Sequence, residues 1–472
     1  MLKQDTRLGE GNQKRVAVVG AGAAGLAAAS ALAEAGYRVH LLERRPYVGG
    51  RASSYHHPSL NEVVDCQHVL LGCCTNLVHL YEQSGVADAI RWYDQLTFLE
   101  PNRQASQFAP SPLPAPMHFT SSFLGARMLS FRDKVAIARG MAEFLTRIPE
   151  NDEESFAQWL NRTGQTDRAR RHFWEPVVVC TLNDGFEECS TRHCAHVFRE
   201  LFLRSPQGAR LGIPTIPLSD LYAGAARFIE SQGGEVSYRS SVESLERCGA
   251  GWRVRTGTGE LCADAVVLAV PFEQVQKLLP KMPASNAAAE LAADLRRFVH
   301  SPYTTVHLWF DRQITDLHHA ALLDTGIQWI FHKSQIRNYP VDQGSYVELV
   351  IAASEASLEM ERAEILNGAM RELALFFPEV KNARLLKSGI LKEARATFSV
   401  LPGLDRLRPK QQSPWPGVFL AGDWTATDWP ATMEGAARSG YLAAEAVCRS
   451  LGNERRFLQP DLRATGLMRL FD

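Results

Sequence analysis

No apolar run in this chain reaches the roughly 18 residues that a membrane-spanning helix needs, which excludes a helical integral membrane protein. Met1 to Gln13 is polar and has no apolar core of the kind a signal peptide carries, so a cytoplasmic protein is expected. Charge of one sign is also missing. Lysines and arginines number 51 against 52 acids, a net charge of −1, and no bulk field draws the chain to nucleic acid. The nine cysteines are odd in number and lack framework spacing, which argues against a disulfide scaffold and for reduced thiols. The adjacent Cys73 and Cys74 read as buried thiols. Cys189, His193, Cys194 and His196 lie close together, but their spacing matches no zinc pattern and a helix would turn them to different faces, so no metal is expected. There is no internal repeat and no long low-complexity segment. What remains is an ordinary globular composition, in a chain long enough for two or three domains.

The stretch from Lys14 to Arg51 carries the clearest information. An apolar run ending at Val19 reads as a strand. Gly20-Ala-Gly22-Ala23-Ala24-Gly25 follows at once and leads into a small-residue helix through Ala35, which Gly36 stops. Arg38 to Glu43 is a second strand. Gly20 permits a tight turn, Gly22 lets backbone touch a pyrophosphate, and Gly25 lets the helix pack on the strand. The helix N-terminus offers unpaired N–H groups and a positive dipole end to phosphates. Glu43 falls where an acid accepts a hydrogen bond from an adenosine ribose, and it would repel a 2′-phosphate. The alternative is a glycine turn in an ordinary βα unit. Arg44 opens the next loop, and Gly49-Gly50-Arg51-Ala52 suits a segment folded over a second phosphate or a flavin. This moves the expected cofactor from NAD to FAD; a surface turn capped by an arginine is the plainer reading.

Further along, Asp65 and the pair Gln67-His68 sit between two apolar runs where the chain should return under the cofactor. Gln67 and His68 are candidates for the flavin's neighbourhood, against a reading of His68 as a satisfied structural histidine. Residues 86–214 are rich in aromatics, which suit plain core or a pocket for an apolar ligand. Helices are expected over Ser130–Ile148, Phe156–Leu160, Ala169–Leu182 and from Pro214 to Ser231. Ala265 to Val270, which includes Ala269, reads as a buried parallel strand returning to the nucleotide sheet. Val242 would lie beside the adenine through its backbone. Tyr303–Phe310, Gln328–His332 and Ser345–Ile351 read as strands of an antiparallel sheet walling the substrate domain, and Glu359–Phe377 as the helix closing that segment. Pro416 to Thr425 is a strand ending in Gly422-Asp423, whose carboxylate would bind ribityl hydroxyls. The backbone of Met433, Glu434 and Ala436 would approach the isoalloxazine ring. The tail from Leu462 to Phe471 alternates arginines with apolar residues and reads as a frayed end packed on the body, or as an edge that touches membrane.

These features predict an α/β fold: a discontinuous Rossmann-like FAD-binding domain over 14–85, 215–283 and 395–450, an α+β substrate domain inserted at 86–214 and 284–394, and a tail over 451–472. The glycine motif, Gly49-Gly50-Arg51, the strand to Pro271, Gly422-Asp423 and Met433-Glu434-Gly435 together resemble the flavin amine oxidase and phytoene desaturase superfamily over essentially the whole length. Gln67 to Thr75, Ile90 to Asp94 with Phe98 to Pro101, and Leu113-Pro-Ala-Pro116 are similar to its squalene-associated branch, the hydroxysqualene dehydroxylases of bacterial hopanoid synthesis. The chain departs from that branch at Asp65-Cys66, where the branch runs Asp-Asn-Gly, and over Asn183–Cys194. The resemblance implies reductive removal of an allylic hydroxyl from hydroxysqualene to give squalene, with a dry pocket and an acid to protonate the leaving group, for which His68 and Asp65 are the candidate catalytic residues. It leaves the electron donor to the flavin open. Oxidative carotenoid-type desaturation and a non-catalytic isoprenoid carrier are the rival readings. No nucleic acid is expected as a partner, and an insoluble substrate implies reversible, peripheral contact with the inner membrane.

Overall fold

Five short parallel strands make the central sheet of this computed structural model, which describes residues 13–471 except 102 and 341–343. In spatial order they are Glu235–Ser237, Arg38–Leu42, Arg15–Val19, Ala265–Leu268 and Val418–Leu420. Three distant stretches of chain therefore build one sheet. Arg15–Val19 and Ala265–Leu268 are buried along their whole length, as expected of strands in a covered parallel sheet. The stretch bearing on export, Met1 to Asn12, lies outside the described residues.

The helix Ala23–Glu34 is almost entirely buried, between the helices Met433–Ser450 and Leu218–Ser231. Its small residues make that approach feasible. A β-carbon on Gly440 would stand 2.2 Å from the Ala24 carbonyl oxygen, and one on Gly25 would stand 1.8 Å from that of Gly20. Both contacts are closer than a side chain allows, so these glycines set the spacing of helix on helix and helix on turn. A three-stranded antiparallel meander, Val242–Cys248, Gly251–Thr256 and Gly259–Ala263, adjoins the sheet.

A second, seven-stranded sheet has the order Leu385–Phe398, His300–Phe310, Ser345–Ala352, Trp329–Phe331, His319–Leu322, Leu96–Leu99, Ala105–Phe108. Its pairs are antiparallel except His319–Leu322 with Leu96–Leu99. The helix Arg362–Phe376 backs it and closes a separate core around Phe310, Leu349, Leu373 and Phe376. Four further helices, Phe131–Thr146, Phe156–Arg162, Glu175–Leu182 and Thr191–Phe198, enclose an aromatic cluster of Phe144, Phe156, Trp159, Phe173, Trp174 and Phe198. Ser130 and Ser155 start two of them with reciprocal capping boxes, satisfying amides that the first turn leaves without a partner.

Three elements differ from the sequence-based expectation. The 14-residue strand Leu385–Phe398 was not foreseen, because it lies at the sheet edge and buries few side chains, so its sequence has no two-residue period. The domain division at 394/395 falls inside it. Leu211–Pro214 is a strand between Leu70–Leu71 and Ile90–Tyr93, and the helix expected from Pro214 begins at Leu218. The helix expected over Ala169–Leu182 is present, and it widens to a π-helical turn at Arg170–Trp174 without interruption. The tail is not frayed at its end: Gly466–Phe471 forms a short tight helix, with Ala464 and Met468 buried on the body.

Candidate active site

One cavity of about 630 Å3 runs from the glycine turn to the second sheet. Its first end is made of backbone. Gly20 adopts φ +98° between strand and helix, and a β-carbon there would stand 2.5 Å from the Ala269 carbonyl oxygen. Glu43 ends the second strand, and its carboxylate accepts from Ala21 N at 2.8 Å and Arg45 N at 2.7 Å. The acid is thus pinned to the turn it faces. Gly49 N donates to Ala21 O at 2.8 Å, which lays the 44–53 loop along the glycine turn. Arg45 holds that loop by donating to Gly50 O at 2.8 Å. No side chain caps the helix that starts at Ala23, so its first amides face the cavity with their donors and the dipole unclaimed by a capping group.

The residues present fit a dinucleotide carrying a flavin. A β-carbon on Gly22 would meet only Gly50 Cα, at 3.8 Å; protein leaves that space open. Gly20, Gly22, Ala23, Ala24, Glu43, Arg44, Gly49, Gly50, Arg51, Ala52, Val242, Ala269, Gly422, Asp423, Met433 and Ala436 all line the same cavity. Two expected residues do not. Gly25 is spent on packing the helix against the turn. The Glu434 side chain is directed away: it accepts from Asn76 N, Asn76 Nδ2 and Leu77 N at 2.8–3.1 Å and so caps the helix Thr75–Gln83. The Asp423 carboxylate accepts from Arg51 Nη2 at 2.6 Å, tying the loop after the first cradle to the end of the last strand.

The other end is made of side chains. Cys66, His68, Phe98, Cys180, Phe202, Tyr303, Trp329 and Phe331 line it. Burial pushes the Cys66 and Cys180 thiols up and raises Tyr303 well above its ordinary value, so each keeps its proton. Burial pushes the His68 imidazole down. His68 Nδ1 lies 2.7 Å from Cys66 O. A carbonyl only accepts, so Nδ1 carries the hydrogen and Nε2 is left as the ring's acceptor.

Asp65 is not a proton donor at this site. It is buried, does not line the cavity, and pairs with Lys333 Nζ at 2.8 Å and Arg337 Nη2 at 3.1 Å. Burial alone would raise its carboxyl, but the two cations outweigh it and hold it at about 2. Lys333 also donates to Gln67 Oε1 at 2.6 Å and stands 3.0 Å from Glu348 Oε2. Glu348 accepts from Gln67 N at 2.6 Å, and burial, opposed by Lys333, lifts it to about 7. A buried charge cluster therefore clamps the backbone on which His68 stands. No local pattern marks Lys333 or Glu348; their partners lie 268 and 281 residues away in sequence.

A family model for flavin-containing amine oxidoreductases matches residues 23–448. The chain is 27% identical to the chloroplastic/chromoplastic 15-cis-phytoene desaturase of Solanum lycopersicum, over 92% of this chain and 77% of that one. It is 26% identical to the zeta-carotene desaturase of a Synechocystis species, over 94% and 98%. Among solved structures it resembles cyclohexylamine oxidase from Brevibacterium oxydans with a TM-score of 0.66, at 19% identity over 93% of this chain and 99% of the other.

Proposed function

Because the chain belongs to the family of flavin-containing amine oxidoreductases, we propose that it moves hydride between its cofactor and a long unsaturated isoprenoid, foremost in the oxidative direction, as a carotenoid-type desaturase does. FAD is its cofactor, and when bound it supplies a two-electron hydride acceptor or donor. The observation that carries the reading is the single cavity whose polar, backbone-built end continues into an apolar, aromatic wall. Such a wall binds hydrocarbon through burial alone and excludes water from the reacting carbons.

The residues at the junction have separable tasks. Desaturation removes a hydride and a proton from adjacent carbons. His68, neutral and with Nε2 as its acceptor, suits the proton. Tyr303, Trp329 and Phe331 offer ring faces toward which positive charge on a polyene is attracted. The clamp of Lys333, Asp65 and Glu348 orients the 65–68 segment without touching substrate. The carotenoid desaturases among its relatives favour this direction.

Reductive dehydroxylation of hydroxysqualene is the second reading. It is supported by the squalene-branch stretch Gln67–Thr75, whose Gln67, His68, Val69 and Leu71 line the cavity. That reaction needs a proton on the departing hydroxyl. Asp65 is locked as a carboxylate, so the donor falls to a group on the wall that keeps its proton, of which Tyr303 is the hydroxyl.

Two anaerobic half-reactions separate the readings. Oxidised holoenzyme mixed with 15-cis-phytoene should lose its oxidised flavin bands and yield a product with a longer conjugated system. If instead photoreduced holoenzyme regains those bands on adding hydroxysqualene and forms squalene in matching amount, the second reading stands. If fully loaded enzyme responds to neither, the hydride-transfer proposal fails and a carrier role replaces it.

A further inference from the structure

Asn183 sits at the cavity wall where three irregular stretches of backbone meet. It ends the helix Glu175–Leu182 in the left-handed conformation, φ +58°, with its N–H donated to Val179 O at 2.9 Å. Glycine is the usual residue at such a helix end, and asparagine a less common one. The second irregularity is a bulge between the strands His300–Phe310 and Leu385–Phe398. Ser301 faces Thr397 there but Tyr303 faces Glu393, so two steps along one strand match four along the other. The third is Ala353, left-handed at φ +46° just past the strand Ser345–Ala352. Backbone groups at a bulge lose their ladder partners.

The Asn183 side chain supplies such partners. Nδ2, with two hydrogens to give, stands within 3.0–3.3 Å of Pro302 O, Ser301 Oγ, Ser301 O and Thr397 Oγ1. Oδ1 accepts from Ala353 N at 2.9 Å. The Asn183 carbonyl accepts from Ser301 Oγ. The residue is buried and borders the cavity. A glycine would satisfy the turn and leave every one of the side-chain bonds unmade.

The segments that Asn183 grips carry cavity wall. Tyr303 follows Pro302, Ala396 precedes Thr397, and Cys180 lies on the helix that Asn183 ends; all three line the cavity. Ala396 O accepts from Arg51 Nη1 at 3.2 Å, and Arg51 in turn holds Asp423. Resting on the reading of this cavity as the site of hydride transfer, we infer that Asn183 is a positioning residue. It fixes where the Tyr303 ring stands relative to the flavin cradle, and so how a bound chain meets the cofactor. A misplacement of about 1 Å in a reacting site costs up to roughly a hundredfold in rate. Flavin retention depends on the cradle, which other segments build.

Two substitutions separate the demands on this position. Asn183→Gly keeps the left-handed turn and removes the side chain. Asn183→Asp keeps the acceptor for Ala353 N and turns a carboxylate on the Ser301 and Pro302 carbonyls. A fluorotyrosine in place of Tyr303 senses the surroundings of that ring by fluorine NMR, whatever the enzyme turns over. Flavin-loaded protein should give one narrow line. In both variants the line should shift or split while the flavin spectrum is kept. Asn338→Gly, at another left-handed asparagine, should leave the line in place. An unshifted line in either folded variant overturns the assignment. On the isoprenoid that the unmodified enzyme accepts, Asn183→Gly should lower kcat about tenfold with KM kept within about twofold. In a Tyr303→Ala background the same change should cost less than about twofold, because the two residues act as one unit. Losses that are equal in both backgrounds also overturn the assignment. If the unmodified enzyme turns over neither isoprenoid, the hydride-transfer reading falls, and the shifted or unshifted line still upholds or overturns the placement of Tyr303.

Discussion

The two ends of the one cavity are built in opposite ways. The nucleotide end is backbone: a glycine turn, an uncapped helix start and a second glycine loop laid against the first. Its ribose-facing acid, Glu43, is fastened by two main-chain amides within the same stretch. The substrate end is side chains contributed by many separate segments between Cys66 and Val350, held in place by a charge cluster that joins Asp65 to Lys333. A backbone cradle tolerates almost no change of residue type because the atoms it needs are those every residue has, placed where a side chain would intrude. A side-chain wall tolerates exchange of one apolar residue for another of similar volume. One cradle can therefore serve many substrates, and the wall is where members of such a family diverge.

The comparison breaks first at the glycines. Gly25→Val should yield no folded protein, because its side chain meets the Gly20 carbonyl oxygen. Gly22→Val should fold and purify without flavin, because only the ligand's space is filled. Circular dichroism and the flavin absorption of the purified protein distinguish the two, and a Gly22→Val protein with full flavin would remove the cradle assignment. The next largest effect should come from Lys333→Met. It leaves Asp65 and Glu348 buried beside one another with a cation gone, a loss of about 3–5 kcal/mol in urea unfolding. Flavin affinity should change much less, since none of the three residues lines the cavity.

His68→Asn should keep the flavin and lower kcat on the order of a hundredfold, the usual scale for a positioned proton acceptor. Turnover equal to that of the unmodified enzyme would return His68 to a structural role. The mildest effect is pH. Burial holds His118, His196, His319 and His332 down to about 4, and His193 and His307 to about 3. Each folded value lies below the unfolded 6.5. The unfolded chain therefore takes up protons first, and the stability present above pH 6.5 is lost as pH falls toward 4. Asp65, held at about 2, adds its own loss only below about pH 4. All six histidines lie between residues 118 and 332, outside the glycine cradle. Hydrogen exchange at pH 5 should show the second sheet and the aromatic helices opening while amides of the cradle stay protected. Simultaneous opening of both ends would contradict the contrast.

The nucleotide end was legible because its requirements are local. A strand, three glycines at fixed spacing, a helix and an acid lie within one βαβ unit, and each glycine has a steric reason that can be read without the rest of the molecule. The helices expected over Ser130–Ile148 and Phe156–Leu160 were legible for the same reason, since each lies within one short stretch of chain. Locality also misled. Asp65 beside His68 in sequence reads as a second acid, but folding sets Lys333 and Arg337 against it and consumes its charge. At Met433-Glu434 the expectation concerned only the backbone, and the Glu434 carboxylate has a task the sequence did not show, capping another helix.

By itself, then, the sequence determined the parallel sheet, the FAD cradle and the family, because glycine spacing and strand–helix alternation act over a few residues. Only the tertiary structure decided which aromatics became core and which became cavity wall, which of two neighbouring candidates kept a usable proton site, and which apolar residues were left facing outward. Those outcomes depend on contacts between segments hundreds of residues apart. Burial and ion pairing, the forces that set them, exist only once those segments have met.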